Sequence, residues 1–223
     1  MKRPACITAL CIASVLPTFT AAAERNDLTR ALRGDYAVSG DGACLDSKNG
    51  FDPVTFRALA SPGAPGLIRS HSVYAVRKFN GDGTGTVKGR SIVIGHNSTA
   101  TTVTNLGPYF TENFSADFTY TVASDRSIHI ANGPMTFTQI EGPSAGQSDV
   151  WTGVMIDGQI SQDFKTIVVA TPGAVLETRY DNLANAVSGA NPTHYRHCHR
   201  SRTLIRISDG DVERERGNSR FPF

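Results

Sequence analysis

The sequence predicts an all-β protein, an antiparallel up-and-down β-barrel of about eight to ten strands, with a β-sandwich as the alternative. Short segments of alternating apolar and polar residues follow one another along the chain. Clusters of glycine, proline, asparagine and aspartate separate them, and helix signals are scarce. Cys44 and Cys198 lie near the two ends of this series of strands, and a disulfide between them favours a closed barrel.

The first 23 residues have the features of a secretory signal peptide. Lys2 and Arg3 precede an apolar run over residues 5–16, which is too short to span a bilayer. Residues 21–23 are alanines and supply the small side chains of a cleavage site. We therefore expect a periplasmic or secreted protein whose mature chain begins near Glu24.

Export leaves a chain of balanced charge. The full sequence has 22 Lys and Arg and 20 Asp and Glu, and the loss of Lys2 and Arg3 leaves 20 of each. Nucleic-acid-binding proteins need a basic surplus to neutralise phosphates, so we expect no nucleic-acid partner. No apolar stretch after residue 23 approaches membrane-spanning length, so we also expect no transmembrane segment after cleavage.

The mature chain keeps two of the four cysteines. Cys6 and Cys11 leave with the signal peptide, and Cys44 and Cys198 remain. An even pair in an oxidising compartment predicts one disulfide, with two free thiols as the alternative. Such a bridge would tie the start of the domain to its end, and chain-entropy arguments give it roughly 4–5 kcal/mol of stabilisation.

The first half of the chain predicts one hairpin between two long loops. Residues 24–33 suit a short amphipathic helix or turn, with Leu28, Ala31 and Leu32 on one side. The remaining elements come in this order: a strand over residues 34–40, a glycine- and proline-rich loop over residues 41–67 that carries Cys44, strands over residues 72–79 and 84–94, and a polar loop over residues 96–113. Asn80-Gly81-Asp82-Gly83 joins the two hairpin strands, because Asn-Gly and Asp-Gly supply the positive φ angles of tight turns.

The second half begins with the cleanest alternation in the chain. Over residues 114–122, aromatic and aliphatic side chains alternate with Ser, Asp and Thr, as in a half-buried antiparallel strand. Further strands are predicted over residues 128–131, 135–140, 150–160, 166–170, 175–180 and 202–207. Residues 208–223 are charged and lack periodicity, which predicts a disordered tail. The single barrel domain is therefore expected to span residues 24–207.

Three segments carry a resemblance to known proteins. Residues 79–87 (FNGDGTGTV) and 197–202 (HCHRSR), together with the strand 118–122 (FTYTV), resemble a family of uncharacterised exported β proteins of environmental bacteria. The resemblance spans most of the mature chain and implies a bacterial exported protein without implying an activity. At the level of architecture alone, the pattern is similar to calycins and to small β-barrel cyclases, and fold does not fix function.

Three histidines form the most conspicuous polar cluster. His197 and His199 would point to the same face of a strand, and His194 is the nearest third ligand for a metal. Three neighbouring arginines oppose a dication, so a polar strand entry beside a disulfide explains the segment better. The sequence has no phosphate loop, nucleophile elbow or His-Glu-x-x-His motif, and we expect no metal and no cofactor.

Aromatic residues on neighbouring predicted strands suggest a ligand pocket inside the barrel. Phe118 and Tyr120 share one strand face, and Phe137 and Trp151 lie on later strands. These four residues are the predicted ligand-binding residues, although packing alone explains them more simply. The first functional hypothesis is therefore an exported binder of a small apolar ligand.

Two other functions stay open at the level of sequence. One is a barrel enzyme of cyclase or isomerase type, and the other is a structural or interaction module of the cell envelope with a filled core. A catalytic site assembled across strands would draw on residues such as His71, Asp157, Glu177 and Arg179. Nothing in the sequence favours these residues over surface placement, so the catalytic residues are unknown.

Overall fold

The computed structural model describes residues 28–59, 67–97 and 108–209. Within them the protein is all-β, as the sequence predicts, and eleven strands form one antiparallel sheet. The strands are β1 (Arg33–Ser47), β2 (Leu67–Asn80), β3 (Thr84–Asn97), β4 (Tyr109–Val122), β5 (Ser127–Asn132), β6 (Met135–Glu141), β7 (Ser148–Thr152), β8 (Met155–Ile160), β9 (Thr166–Ala170), β10 (Leu176–Tyr180) and β11 (His194–Ser208). The predicted signal peptide and all but the first two residues of the predicted tail lie outside the described residues.

The sheet closes on itself because β1 pairs with β2 on one side and with β11 on the other. One closed ring passes through eight strands in the order β1, β2, β3, β4, β5, β8, β9 and β11. The strands β6, β7 and β10 continue β5, β8 and β9 and complete the ring between β4 and β11 at its other end. This arrangement confirms the predicted all-β fold, an antiparallel sheet closed into a ring of strands. Both the barrel and the sandwich alternative are compatible with such a ring.

Three of the eight ring positions are therefore occupied by broken strands. The breaks fall at Gly133-Pro134, at Gly153 and at residues 171–175, where glycine or proline interrupts the ladder. Gly153 has a φ of +79°, and a Cβ there would lie 2.6 Å from the Leu176 carbonyl oxygen. The prediction of one strand over residues 150–160 was wrong for this reason, since Gly153 divides it into β7 and β8.

The first and last strands are much longer than predicted. β1 continues to Ser47 and β11 begins at His194, so Cys44 lies in a strand and not in a loop. Gly40 and Gly42 point inward from β1, and a Cβ on Gly42 would lie 2.7 Å from the His71 ring. Glycine thus allows close packing here, whereas in the sequence it suggested a loop.

The predicted disulfide is present. Cys44 and Cys198 are direct partners in the β1–β11 ladder, with 4.0 Å between their Cα atoms and 154 residues between them in sequence. The bridge therefore fastens the strand pair that closes the barrel. A disulfide is typical of proteins that fold in an oxidising compartment.

The central hairpin is confirmed, and both of its strands extend beyond their predicted ends. Gly81 and Gly83 in its turn have φ angles of +81° and +88°. The second predicted loop is shorter than expected, because β4 already begins at Tyr109, and residues 98–107 lie outside the described residues.

The described residues contain two helical segments. Residues 28–31 are helical, which confirms part of the predicted N-terminal helix. The second helix, Leu183–Ser188, was not predicted from the sequence. Asn182 caps its start, and Gly189, in a left-handed conformation, caps its end. Among the described residues, no helix is long and apolar enough to cross a membrane.

The two ends of the barrel differ. At the closed end, where the β2–β3 hairpin turn lies, the Phe79 ring makes edge-to-face contacts with Tyr36, Phe118 and Tyr120. The hydroxyl group of Tyr120 donates a hydrogen bond to the Leu32 carbonyl oxygen at 2.9 Å, which fixes the N-terminal segment across this end. The opposite end, where β2 begins and β3 ends, is called the open end of the described residues, and the candidate functional site lies towards it.

We expect loss of the disulfide to lower the free energy of unfolding by about 2–5 kcal/mol, because the open chain gains entropy when unfolded. The measurement is urea unfolding of the double variant Cys44→Ala/Cys198→Ala beside the oxidised wild type. Reduced wild type is the matched control and should unfold like the variant. Equal stability of variant and oxidised protein would contradict a role for the bridge in closure.

Candidate functional site

An interior cavity of about 90 Å³ lies between the closed end and the open end. Its apolar wall consists mainly of inward-facing side chains of β1, β2, β3, β4, β6, β8 and β11. Representative members are Val73, Ala75, Val93, Phe114 and Phe137. Because strand residues alternate between faces, each strand contributes every second side chain to this wall.

Another part of the lining, here called the charged wall, consists of five arginines and one glutamate: Arg69, Arg77, Arg196, Arg200, Arg202 and Glu112. The same alternation places them on the inward faces of three strands. β11 contributes the last three arginines, β2 contributes Arg69 and Arg77, and β4 contributes Glu112. Burial of guanidinium groups is costly unless each finds a partner, so the partners decide what this wall can do.

Glu177 is the main partner and is itself only 1% exposed. It accepts a hydrogen bond from Arg196 Nε at 2.7 Å and one from Arg200 Nη2 at 2.8 Å. Arg200 Nη1 donates to the other carboxylate oxygen of Glu177. Burial raises the pKa of Glu177, but the two arginines outweigh it and lower that pKa to about 2. Glu177 is therefore ionised at neutral pH, and one carboxylate serves two guanidinium groups.

Arg196 also stacks on an aromatic side chain. Its guanidinium carbon lies 3.6 Å from the centre of the Trp151 ring and 5.8 Å from that of Phe137. Burial lowers the pKa of Arg196, but Glu177, Asp46 and Glu112 together outweigh it, so the net shift is upward. Contact between a cation and an aromatic face adds to the ion pair, so Arg196 is held in a fixed position.

Arg202 pairs with His71 and with backbone oxygens. Its Nη2 atom donates to His71 Nε2 at 3.1 Å, and its Nη1 atom donates to the carbonyl oxygens of Asp41 and Ser201. Since arginine can only donate, His71 accepts at Nε2 and carries its proton on Nδ1. Burial and the nearby arginines, chiefly Arg200, lower the pKa of His71 to about 2 and keep it neutral.

Arg77 has no carboxylate partner among the described residues. It is 5% exposed, its Nη2 atom donates to Asn132 Oδ1 at 3.0 Å, and its guanidinium carbon lies 4.2 Å from the centre of the Phe118 ring. Its buried Nη1 atom has no hydrogen-bond partner within the described ranges. Burial, with a contribution from Arg202, lowers the pKa of Arg77 to about 9, so it is charged at neutral pH.

A second space, the mouth recess of about 200 Å³, lies at the open end and shares Arg69, Glu112, Phe137 and Arg196 with the cavity. Glu112 accepts a hydrogen bond from the Ser91 hydroxyl at 2.8 Å, and burial raises the pKa of its carboxyl group. The two spaces therefore adjoin each other along the four side chains that they share.

The predicted ligand-binding residues lie at different depths. Phe137 lines both spaces, and Trp151 lines the mouth recess. Phe118 and Tyr120 belong to the packed core near the closed end and are not among the residues that line either space. The sequence analysis overlooked Arg77, although alternation from Phe79 through Ala75 places it on the inward face of β2.

The three predicted metal-ligand candidates do not converge. His197 lies 4.4 Å from Phe51, ring centre to ring centre, and its Nδ1 donates to the Val175 carbonyl oxygen at 2.9 Å. His199 is exposed, and His194 faces Arg179. Within residues 28–59, 67–97 and 108–209, no group of three or more metal-ligating side chains forms.

The other residues considered for catalysis are also dispersed. Asp157 pairs with His129, and both side chains are about half exposed. Arg179 pairs with Asp149 at 2.8 Å beside the mouth recess. Only His71 and Glu177 contact the arginines of the charged wall. His71 pairs with Arg202, and Glu177 pairs with Arg196 and Arg200.

No family model matches this chain, and neither does a curated protein or a solved structure. The resemblance to exported bacterial β proteins therefore stays a prediction.

We expect Glu177→Gln to destabilise the protein by about 3–5 kcal/mol, because it leaves Arg196 and Arg200 buried without a counter-charge. The matched control is Asp157→Asn, which removes an exposed pair and should cost no more than about 1 kcal/mol. Urea unfolding at neutral pH measures both. Equal effects of the two substitutions would contradict the central role of Glu177.

We expect His71 to make folding sensitive to acid between pH 6.5 and 4.5. Its pKa is about 2 in the folded protein against 6.5 for an unperturbed histidine. The unfolded chain therefore takes up the proton first as the pH falls, and the folded state loses up to about 1.4 kcal/mol per pH unit. His71→Gln keeps an acceptor for Arg202 and should remove this slope.

The test is the difference in unfolding free energy between wild type and His71→Gln at several pH values in that window. The contribution of His194, whose pKa is also lowered, cancels because both proteins contain it. His199→Gln, on the outer face, is the control and should follow the wild type. Parallel pH profiles for wild type and His71→Gln would rule out the proposed protonation state.

Proposed function

We propose that this protein is an exported binding protein that holds a small, largely apolar molecule inside its barrel. The observation that carries the proposal is the apolar-lined cavity joined to the mouth recess at the open end. Enclosed apolar sites with a few convergent polar groups are the usual form of small-molecule sites. The Cys44–Cys198 disulfide and the predicted signal peptide support export to an oxidising compartment.

The dimensions favour a small ligand. A single water molecule needs a cavity volume of about 10–15 Å³. A cavity of about 90 Å³ therefore accepts more than one water molecule but not a large cofactor. A somewhat longer molecule would extend past Phe137 into the mouth recess, which contributes about 200 Å³. The cavity also argues against a structural module with a filled core.

A barrel enzyme is less well supported by the groups that line the site. Glu177 is saturated by two arginines, and the Nε2 atom of His71 already accepts from Arg202. Glu112, whose pKa burial raises, is the lining carboxyl group left for proton transfer. A binder needs none of these groups to transfer protons, so binding is the function the geometry supports best.

Binding can be followed through Trp151, the single tryptophan of the chain, which lines the mouth recess. We expect the mature protein to bind 1-hexanol, a neutral apolar probe, with a change in tryptophan fluorescence and a heat of binding. Val73→Phe fills the cavity and should weaken binding at least about tenfold. Val76→Phe, on the exposed face of the same strand, should have no effect.

Two results would contradict the binding function. One is the absence of any heat or fluorescence change with hexanol. The other is equal binding by wild type and Val73→Phe, which would place the probe outside the barrel. Thermal unfolding of each variant confirms that it is folded before titration.

A further inference from the structure

The charged wall has more cations than its carboxylates can balance. Five guanidinium groups line the cavity. Glu177 contacts two of them, and Asp46 lies 2.7 Å from Arg69. Glu112 also faces the cavity, but its hydrogen bond comes from Ser91. Within the described ranges, Arg77 and Arg202 are therefore without a contacting carboxylate.

The two unbalanced guanidinium groups differ in how far they are satisfied. Arg202 donates to His71 and to two backbone oxygens, so its donors have partners although its charge does not. Arg77 has one side-chain partner, Asn132, and its Nη1 atom is buried without an acceptor among the described residues. Arg202 lies close enough to Arg77 for its charge to contribute to the lowered pKa of Arg77.

A buried cation without a counter-charge costs several kcal/mol, and an apolar side chain of similar length would avoid that cost. Proteins retain such unfavourable groups mainly at functional sites. An acidic group on the ligand would supply the counter-charge and an acceptor for the Nη1 atom of Arg77. The position of Arg77 beside Phe118 places this acceptor at the deep end of the cavity, with the apolar wall between it and the open end.

The donor count favours a carboxylate over a phosphate. A phosphate group presents three or more strong acceptor oxygens and needs several donors. Of the cavity-lining guanidinium atoms, Arg69 Nε and Arg77 Nη1 are buried without a hydrogen bond among the described residues, and Arg69 Nε lies 2.7 Å from Asp46. Arg77 Nη1 is therefore the one with neither a hydrogen bond nor an ion pair there. The lining also offers hydrocarbon from Val73, Val93 and Phe114, which suits an aliphatic chain.

We propose that the ligand is a small aliphatic carboxylic acid whose carboxylate binds Arg77, with Arg202 beside it and the hydrocarbon chain directed along the apolar wall towards the open end. This assignment rests on the proposed binding function, and it deepens that function by naming the class of ligand. Arg77 is then the residue that selects an acid over a neutral molecule of the same shape.

The experiment compares hexanoate with 1-hexanol by isothermal titration calorimetry on the mature chain at neutral pH. We expect hexanoate to bind at least about tenfold more tightly, because its carboxylate gains a hydrogen bond from a charged donor. In Arg77→Met, hexanoate should bind no more tightly than hexanol does to the same variant. Arg77→Lys should restore part of the preference for hexanoate.

The matched control is Arg90→Met, on the outer face of β3, where Arg90 Nε donates to Asn113 Oδ1 at 3.1 Å. It should bind both compounds as the wild type does. Without ligand, Arg77→Met should melt at the same temperature as the wild type or higher, because it removes an unpaired buried charge. The comparison of ligands on the wild type holds even where a variant folds poorly.

The outcomes separate the inference from the proposed function. If hexanol binds and hexanoate binds no better, or if Arg77→Met keeps the preference, the carboxylate assignment is wrong and the binding function stands. Tighter binding of inorganic phosphate than of hexanoate would replace the carboxylate by a phosphate. If neither hexanol nor hexanoate binds inside the barrel, both the function and the ligand class are overturned.

Discussion

The pairing of β1 with β11 is the interaction on which the rest of the structure depends. It joins the two ends of the domain in a ladder that runs from Asp35 and Ser208 to Ser47 and Tyr195. Without it the sheet would have two open edges and no interior. The Cys44–Cys198 disulfide fastens this pair from inside the barrel.

Closure also determines the chemistry of the interior. It brings the inward arginines of β11 beside His71 on β2 and opposite the apolar side chains of β3 and β4. Glu177 compensates two of these arginines, and backbone oxygens satisfy a third. At the closed end, the rings of Tyr36, Phe118 and Tyr120 pack edge to face on Phe79, and their burial stabilises the fold there.

Local signals in the sequence predicted much of the fold. Alternation identified β4, the Asn-Gly-Asp-Gly turn identified the central hairpin, and the two remaining cysteines identified the disulfide. The length of β1 was not predictable, because Gly40 and Gly42 suggest a loop unless the side chains of Arg202 and His71 are known to pack against them. Of the three breaks in the ring, the sequence predicted those at Gly133-Pro134 and after Ala170. It did not predict the break at Gly153, where the Leu176 carbonyl oxygen approaches closely only after the sheet has formed.

The site was harder to predict than the fold. The alternation of apolar and polar residues predicts which side chains face inward but not how far along the barrel they lie. Phe118 and Phe137 were therefore both predicted to line the pocket. Arginine side chains are rarely buried, so Arg77 was not predicted to lie inside the barrel, although its neighbours on β2 place it on the inward face.

The most direct measurement is a crystal structure of the mature protein with ω-bromohexanoate. The account predicts a carboxylate within hydrogen-bonding distance of Arg77 Nη1 and a bromine peak towards Phe137. It would be contradicted by a ligand bound only on the outer surface, or by ordered water alone beside Arg77.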